Sequence, residues 1–63
     1  MERRVHLVFD LPADEALALA QFLKRVGLDD YRQLAVDTDE AWTMQAAGER
    51  VRAALAEAGY APR

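Results

Sequence analysis

The stretch Arg3-Arg4-Val5-His6-Leu7-Val8-Phe9-Asp10-Leu11 decides how the rest of this chain is read. Val5, Leu7, Phe9 and Leu11 alternate with Arg4, His6, Val8 and Asp10, a period of two that predicts a β-strand with its large apolar residues on one face. No second stretch of comparable quality is there to pair with it. A lone strand leaves backbone donors and acceptors open along both edges and is not stable in water. Its partner would be another copy of this chain or a different protein. The predicted class is α/β (α+β): one N-terminal strand followed by two or three α-helices, with the strand completed from outside.

The 63 residues make one small domain, 1–63, able to bury only about 60% of the surface its unfolded chain exposes. Domains of this size often rely on disulfides, metals or oligomerisation. There is no Cys, and the single His6 cannot anchor a structural zinc site. Oligomerisation is the aid left over, and a homodimer through the N-terminal strand is the expected form. The absence of Cys suits a reducing compartment, so a cytoplasmic location is expected. Met1-Glu2-Arg3-Arg4 leads into a short apolar stretch broken by Asp10 and Pro12, which reads as neither signal peptide nor membrane span. The chain lacks Ser, Asn and Ile, has Lys24 as its one lysine and uses Ala and Arg heavily, a bias that suggests a high-GC bacterial genome.

Working outward, Pro12 opens a helix at its first turn, where a missing N–H removes no hydrogen bond. Asp14 and Glu15 sit where the helix dipole favours carboxylates, and Lys24 and Arg25 fall in the last turn. Gly27 fits a left-handed cap followed by Leu28. The apolar stripe is Ala16, Leu19, Ala20, Leu23 and Val26, widened by Phe22. Between Asp29 and Val36 a short helix capped by Asp29 or Asp30 is favoured over a weak strand at Gln33-Leu34-Ala35-Val36. Asp37 or Asp39 caps a longer helix, from about Glu40 to Ala58, with an inner stripe of Met44, Ala47, Val51, Leu55 and Ala58. Gly59, Tyr60 and Pro62 stop it, Tyr60 being the hydrophobic partner of the Gly59 cap. Gly48 inside that helix weakens it by about 1 kcal/mol relative to Ala, which predicts close packing against that spot. The two long helices are expected to pair around small alanines.

The charge distribution says more than the net value of -3. Residues 10–40 hold Asp10, Asp14, Glu15, Asp29, Asp30, Asp37, Asp39 and Glu40 against Lys24, Arg25 and Arg32. Two readings coexist. These residues are helix caps and first-turn carboxylates, or they form an acidic surface that docks on a basic groove such as one that normally holds nucleic acid. A calcium loop at Asp37-Thr38-Asp39-Glu40 fails on spacing, because it needs alternating ligands over twelve residues and a Gly at the sharp turn. No metal and no cofactor are expected. Without Cys or Ser, the available nucleophiles are Thr38, Thr43, tyrosines and carboxylates, and His6 has no obvious acid beside it. His6 reads as an exposed strand residue or part of a dimer seam, Gly27, Gly48 and Gly59 are isolated rather than a phosphate loop, and the chain is not read as an enzyme.

Nucleic-acid binding is the rival reading, because strand-helix-helix is the order of ribbon-helix-helix dimers, whose paired strands enter the major groove. Arg4 and His6 would then face DNA. Val8 and Asp10 on the same face, the acidic balance and the longer connection at 29–36 weigh against it. Trp42 lies off the Met44/Val51/Leu55 stripe and either closes the core edge beside Tyr31 or belongs to a contact surface, where Trp and Tyr are enriched.

Three segments carry a family resemblance: Ala16-Leu17-Ala18-Leu19-Ala20-Gln21-Phe22-Leu23-Lys24-Arg25-Val26-Gly27, the acidic stretch ending Asp39-Glu40-Ala41, and the tail Ala53 to Arg63. From about Leu11 onward the chain resembles a family of short uncharacterised proteins encoded on proteobacterial plasmids, prophages and integrative elements. That family has no assigned catalytic residues to carry over. The resemblance implies a mobile-element protein that binds and blocks a host protein, as anti-CRISPR proteins do when they occupy the basic groove of a CRISPR effector. The expected function is thus a non-enzymatic protein–protein interaction module, inhibiting or modulating a partner through Asp29, Asp30, Asp37, Asp39 and Glu40, with Tyr31 and Trp42. The expected partner is a protein with a basic surface, such as a CRISPR effector subunit, in preference to nucleic acid, and no membrane is involved. A third option is an orphan subunit whose strand completes a partner's sheet.

Overall fold

Helices account for all the regular structure of residues 3–62, the part of the chain that the computed structural model describes. In order they are α1 (Ala13–Arg25), α2 (Leu28–Leu34) and α3 (Thr38–Glu57). Among the described residues there is no strand. The expected α/β class is therefore corrected to an all-helical one. Residues 3–10 form an exposed N-terminal arm without regular structure. Its alternation is genuine, but no second strand lies among the described residues to pair with it. The one alternative strand has been spent elsewhere, with Gln33 and Leu34 in the last turn of α2 and residues 35–37 in the bend before α3.

The helices begin and end where local chemistry directs. Pro12 is the N-cap of α1 and its carbonyl accepts from the Ala16 N–H at 3.0 Å. Asp37 caps α3, its Oδ1 accepting the Glu40 N–H at 2.8 Å. At the far end of α3, Gly59 takes a φ of 100°, which glycine adopts at little cost. The Tyr60 N–H then reaches the Leu55 carbonyl at 2.8 Å and the Gly59 N–H reaches that of Ala56 at 3.0 Å, the paired bonds of a Schellman stop. Tyr60 packs back on the core beside Leu55, as expected of the residue after such a cap. Gly27 behaves differently from expectation. Its φ is -115°, so it is the extended residue before α2, while Val26 closes α1 by donating to Phe22 at 2.9 Å.

α3 is the common partner: α1 and α2 each pack on it and not along each other. The core is built from Ala16, Ala20, Leu23 and Leu55, with Leu11, Leu19, Val26 and Tyr60 packed around it. Ala20 and Ala41 are the most deeply covered residues, at 1% and 0% exposure. The inner face of α3 thus runs through Ala41, Met44, Gly48 and Leu55, and the expected stripe was rotated: Ala47, Val51 and Ala58 lie exposed beside it. Gly48 is where α2 comes closest. A methyl group there would run into the Tyr31 hydroxyl, with the ring carbon Cζ at 3.3 Å and Leu23 Cδ2 at 3.6 Å.

That notch makes a signed prediction. Gly48→Ala should gain about 1 kcal/mol of helix propensity but lose about 1–3 kcal/mol to overpacking against the Tyr31 ring, for a net loss of stability in urea unfolding. In a Tyr31→Ala background the same change should become stabilising. A stabilising Gly48→Ala with Tyr31 intact would show that the ring swings aside freely.

Candidate functional site

The candidate site is the α2 to α3 segment, because every residue singled out for partner contact falls within it. Asp29 and Asp30 occupy the first turn of α2, and Asp39 and Glu40 the first turn of α3. Four of these five carboxylates, including Asp37, are solvent-exposed, and Glu40 is half-buried. Their geometry divides them. Asp30 Oδ2 accepts the Gly27 N–H at 2.8 Å, Asp37 Oδ1 accepts the Glu40 N–H at 2.8 Å, and Glu40 Oε1 reaches back to the Val36 N–H at 2.9 Å. Each satisfies a backbone donor that a helix start would leave open. Asp29 and Asp39 have no such duty. Asp29 makes a loose, exposed pair with Arg32 at 3.6 Å, and the contact at Asp39 is through its carbonyl, which accepts from Thr43 Oγ1 at 3.1 Å. Two carboxylates are therefore free of capping and three are caps that remain on the surface.

The aromatic candidates also separate. Tyr31 is half-buried with its ring in the Gly48 notch, so its first role is to seat α2 on α3. Trp42, in the second turn of α3, stays 54% exposed. It does not close the core edge. Arg4 and His6 lie on the exposed arm, where no strand forms to set them on one face. The ribbon geometry through which they would enter a DNA groove is absent from the described residues.

Sequence reasoning missed an apolar component of the same region. Leu34, at 82% exposure, precedes the 35–37 bend, Val36, at 86%, lies within it, and Trp42 follows in the second turn of α3. Phe22 of α1, Val26 just after it and Leu34 of α2 line an open trough between the two helices. The signal was present in the composition. A chain whose helices meet through alanines and a glycine cannot cover its larger side chains, and such side chains gathered on a surface mark contact sites. No group of three or more His, Cys, Asp and Glu side chains comes together to hold a metal among the described residues, nor is any helix there long and apolar enough to cross a membrane.

The capping geometry has a measurable consequence. Asp37→Ala should destabilise the fold by about 1 kcal/mol through the lost bond to the Glu40 N–H, whereas Asp39→Ala should change it by no more than about 0.5 kcal/mol. Urea midpoints of the two variants test this; equal losses would mean that Asp37 is not the cap.

A family model matches residues 1–63, the whole length of the chain, and the chain belongs to that family, a family of unknown function designated DUF7706. No curated protein and no solved structure matches the chain.

Proposed function

We propose that this DUF7706 protein acts by protein–protein contact without catalysing a reaction, docking on a basic partner through α2 and the start of α3. The observation that carries the reading is that Leu34, Val36 and Trp42, all exposed, fall in the same α2-to-α3 segment as the exposed carboxylates Asp29 and Asp39. Apolar and aromatic anchors within a polar border are the usual anatomy of a recognition surface, with the anchors supplying affinity and the charges supplying on-rate and choice of partner. The inhibitor role implied by the family resemblance is the concrete form of this proposal, and a CRISPR effector subunit with a basic groove is the partner to test first.

The two contributions separate kinetically. With a purified effector subunit on a biosensor, Asp29→Lys together with Asp39→Lys should slow association and flatten its salt dependence. Trp42→Ala should instead speed dissociation, by roughly 2 kcal/mol if it is a central anchor. None of the three residues caps a helix or fills the core, so folding is preserved. Binding indifferent to all of these changes would sink the proposed surface.

A further inference from the structure

A self-contained protein of 7.1 kDa exposes roughly 4,100 Å², whereas this chain exposes 5520 Å². Its Cα radius of gyration of 12.8 Å likewise exceeds the roughly 10.6 Å expected for a compact chain of this length. Part of the difference is apolar. Val5, Leu7, Val8 and Phe9 of the arm are all exposed, Phe9 at 63%. Along α3, Val51, Ala54 and Ala58 recur on one face beside Leu55, and none of the three is covered. Between that face and α1 lies an open groove of about 410 Å³, bordered by Phe9, Ala16 and Leu19.

We infer that a second copy of this chain covers this face. The two grooves meet about a two-fold axis, with each α3 antiparallel to its counterpart and Ala54 close to the axis. The apolar lining fits that occupant: a groove edged by Phe9, Leu19 and Val51 offers each copy the same surface that the other would bury. The register fits as well. An isologous contact must be complementary to itself, and antiparallel pairing centred near Ala54 brings Val51 to within one residue of the other copy's Ala58, large against small. It likewise brings Arg50 to within one residue of the other copy's Glu57, twice. Both side chains are exposed, and neither takes part in an ion pair within the chain among the described residues. Phe9, already at the groove edge, closes each end of the seam; a cavity of about 150 Å³ admits a benzene ring, so the groove has room for rings from both copies. The arm contributes side chains here and no strand is required. This seam uses the second half of α3 and is separate from the partner surface at its start.

The test is the mass of the purified chain by light scattering at micromolar concentration, with helicity followed by circular dichroism. Twice the chain mass is expected. Ala54→Arg, at a position exposed in the single chain, should give the single-chain mass with helicity unchanged. Arg50→Glu should weaken dimerisation by roughly tenfold or more through like-charge contacts, and adding Glu57→Arg should restore it. A wild-type chain that stays single, an Ala54→Arg chain that stays paired, or a charge swap without restoration overturns the inference. Because mass is read without any partner, its failure is distinguishable from failure of the acidic docking surface.

Discussion

The close approach of α1 and α2 to a single helix, α3, is the contact on which this fold depends. Neither short helix has another helix to lean on. The approach is possible because the meeting points are small: Ala16 and Ala20 on α1, Ala41 and Gly48 on α3. Gly48 is the extreme case, a helix-interior glycine with a tyrosine hydroxyl where its side chain would be. A propensity loss of about 1 kcal/mol at that residue is the condition for seating α2. Without α2 in place, the bend at 35–37 and the Glu40 bond to Val36 would have nothing to hold them.

Packing through small residues has a consequence for what remains outside. Leu23 and Leu55 are the largest side chains in the buried core, and each contributes about 1.5–3 kcal/mol. Phe9, Phe22, Leu34, Val36 and Trp42 contribute little to the isolated chain because water still reaches them. With no disulfide to restrain the unfolded state, such a chain sits near the lower limit of size for independent folding. Burial of these side chains by another molecule would therefore add stability to the fold as well as affinity to the contact.

The helices were legible because their ends carry local chemistry. Pro12, Asp37 and the Gly59-Tyr60 pair act within a few residues, so spacing located the start of α1 and the stop of α3 and narrowed the cap of α3 to Asp37 or Asp39, and a glycine amid good helix formers marked a close approach. The strand was illegible for the opposite reason. Alternation at Val5, Leu7 and Phe9 reports a preference, while a strand is a pairing between distant segments, and here no partner segment exists. The face of α3 was misjudged for a related reason. Alanines at 47, 54 and 58 fit an inner or an outer stripe equally well, and only the Tyr31–Gly48 contact fixes which way the helix is turned. As for the site, the carboxylates were visible as a cluster, but whether each one caps a helix depends on a rotamer and a backbone N–H, which spacing narrows without deciding.

Placing the two surfaces on one helix links them geometrically. α3 is continuous from Thr38 to Glu57, without a proline or a break. In the inferred dimer the axis lies near Ala54, so each Trp42 stands about 18 Å from it along the helix, and the two tryptophans stand about 36 Å apart. If the proposed contact at the start of α3 holds, such a seam would set two of these surfaces at a fixed spacing. On a partner that repeats its basic surface at that distance, the second contact becomes intramolecular and avidity exceeds the strength of either contact alone. On a partner with one such surface, the second copy serves only to stabilise the first. In this scheme dimerisation would determine which kind of target a contact surface this small can hold.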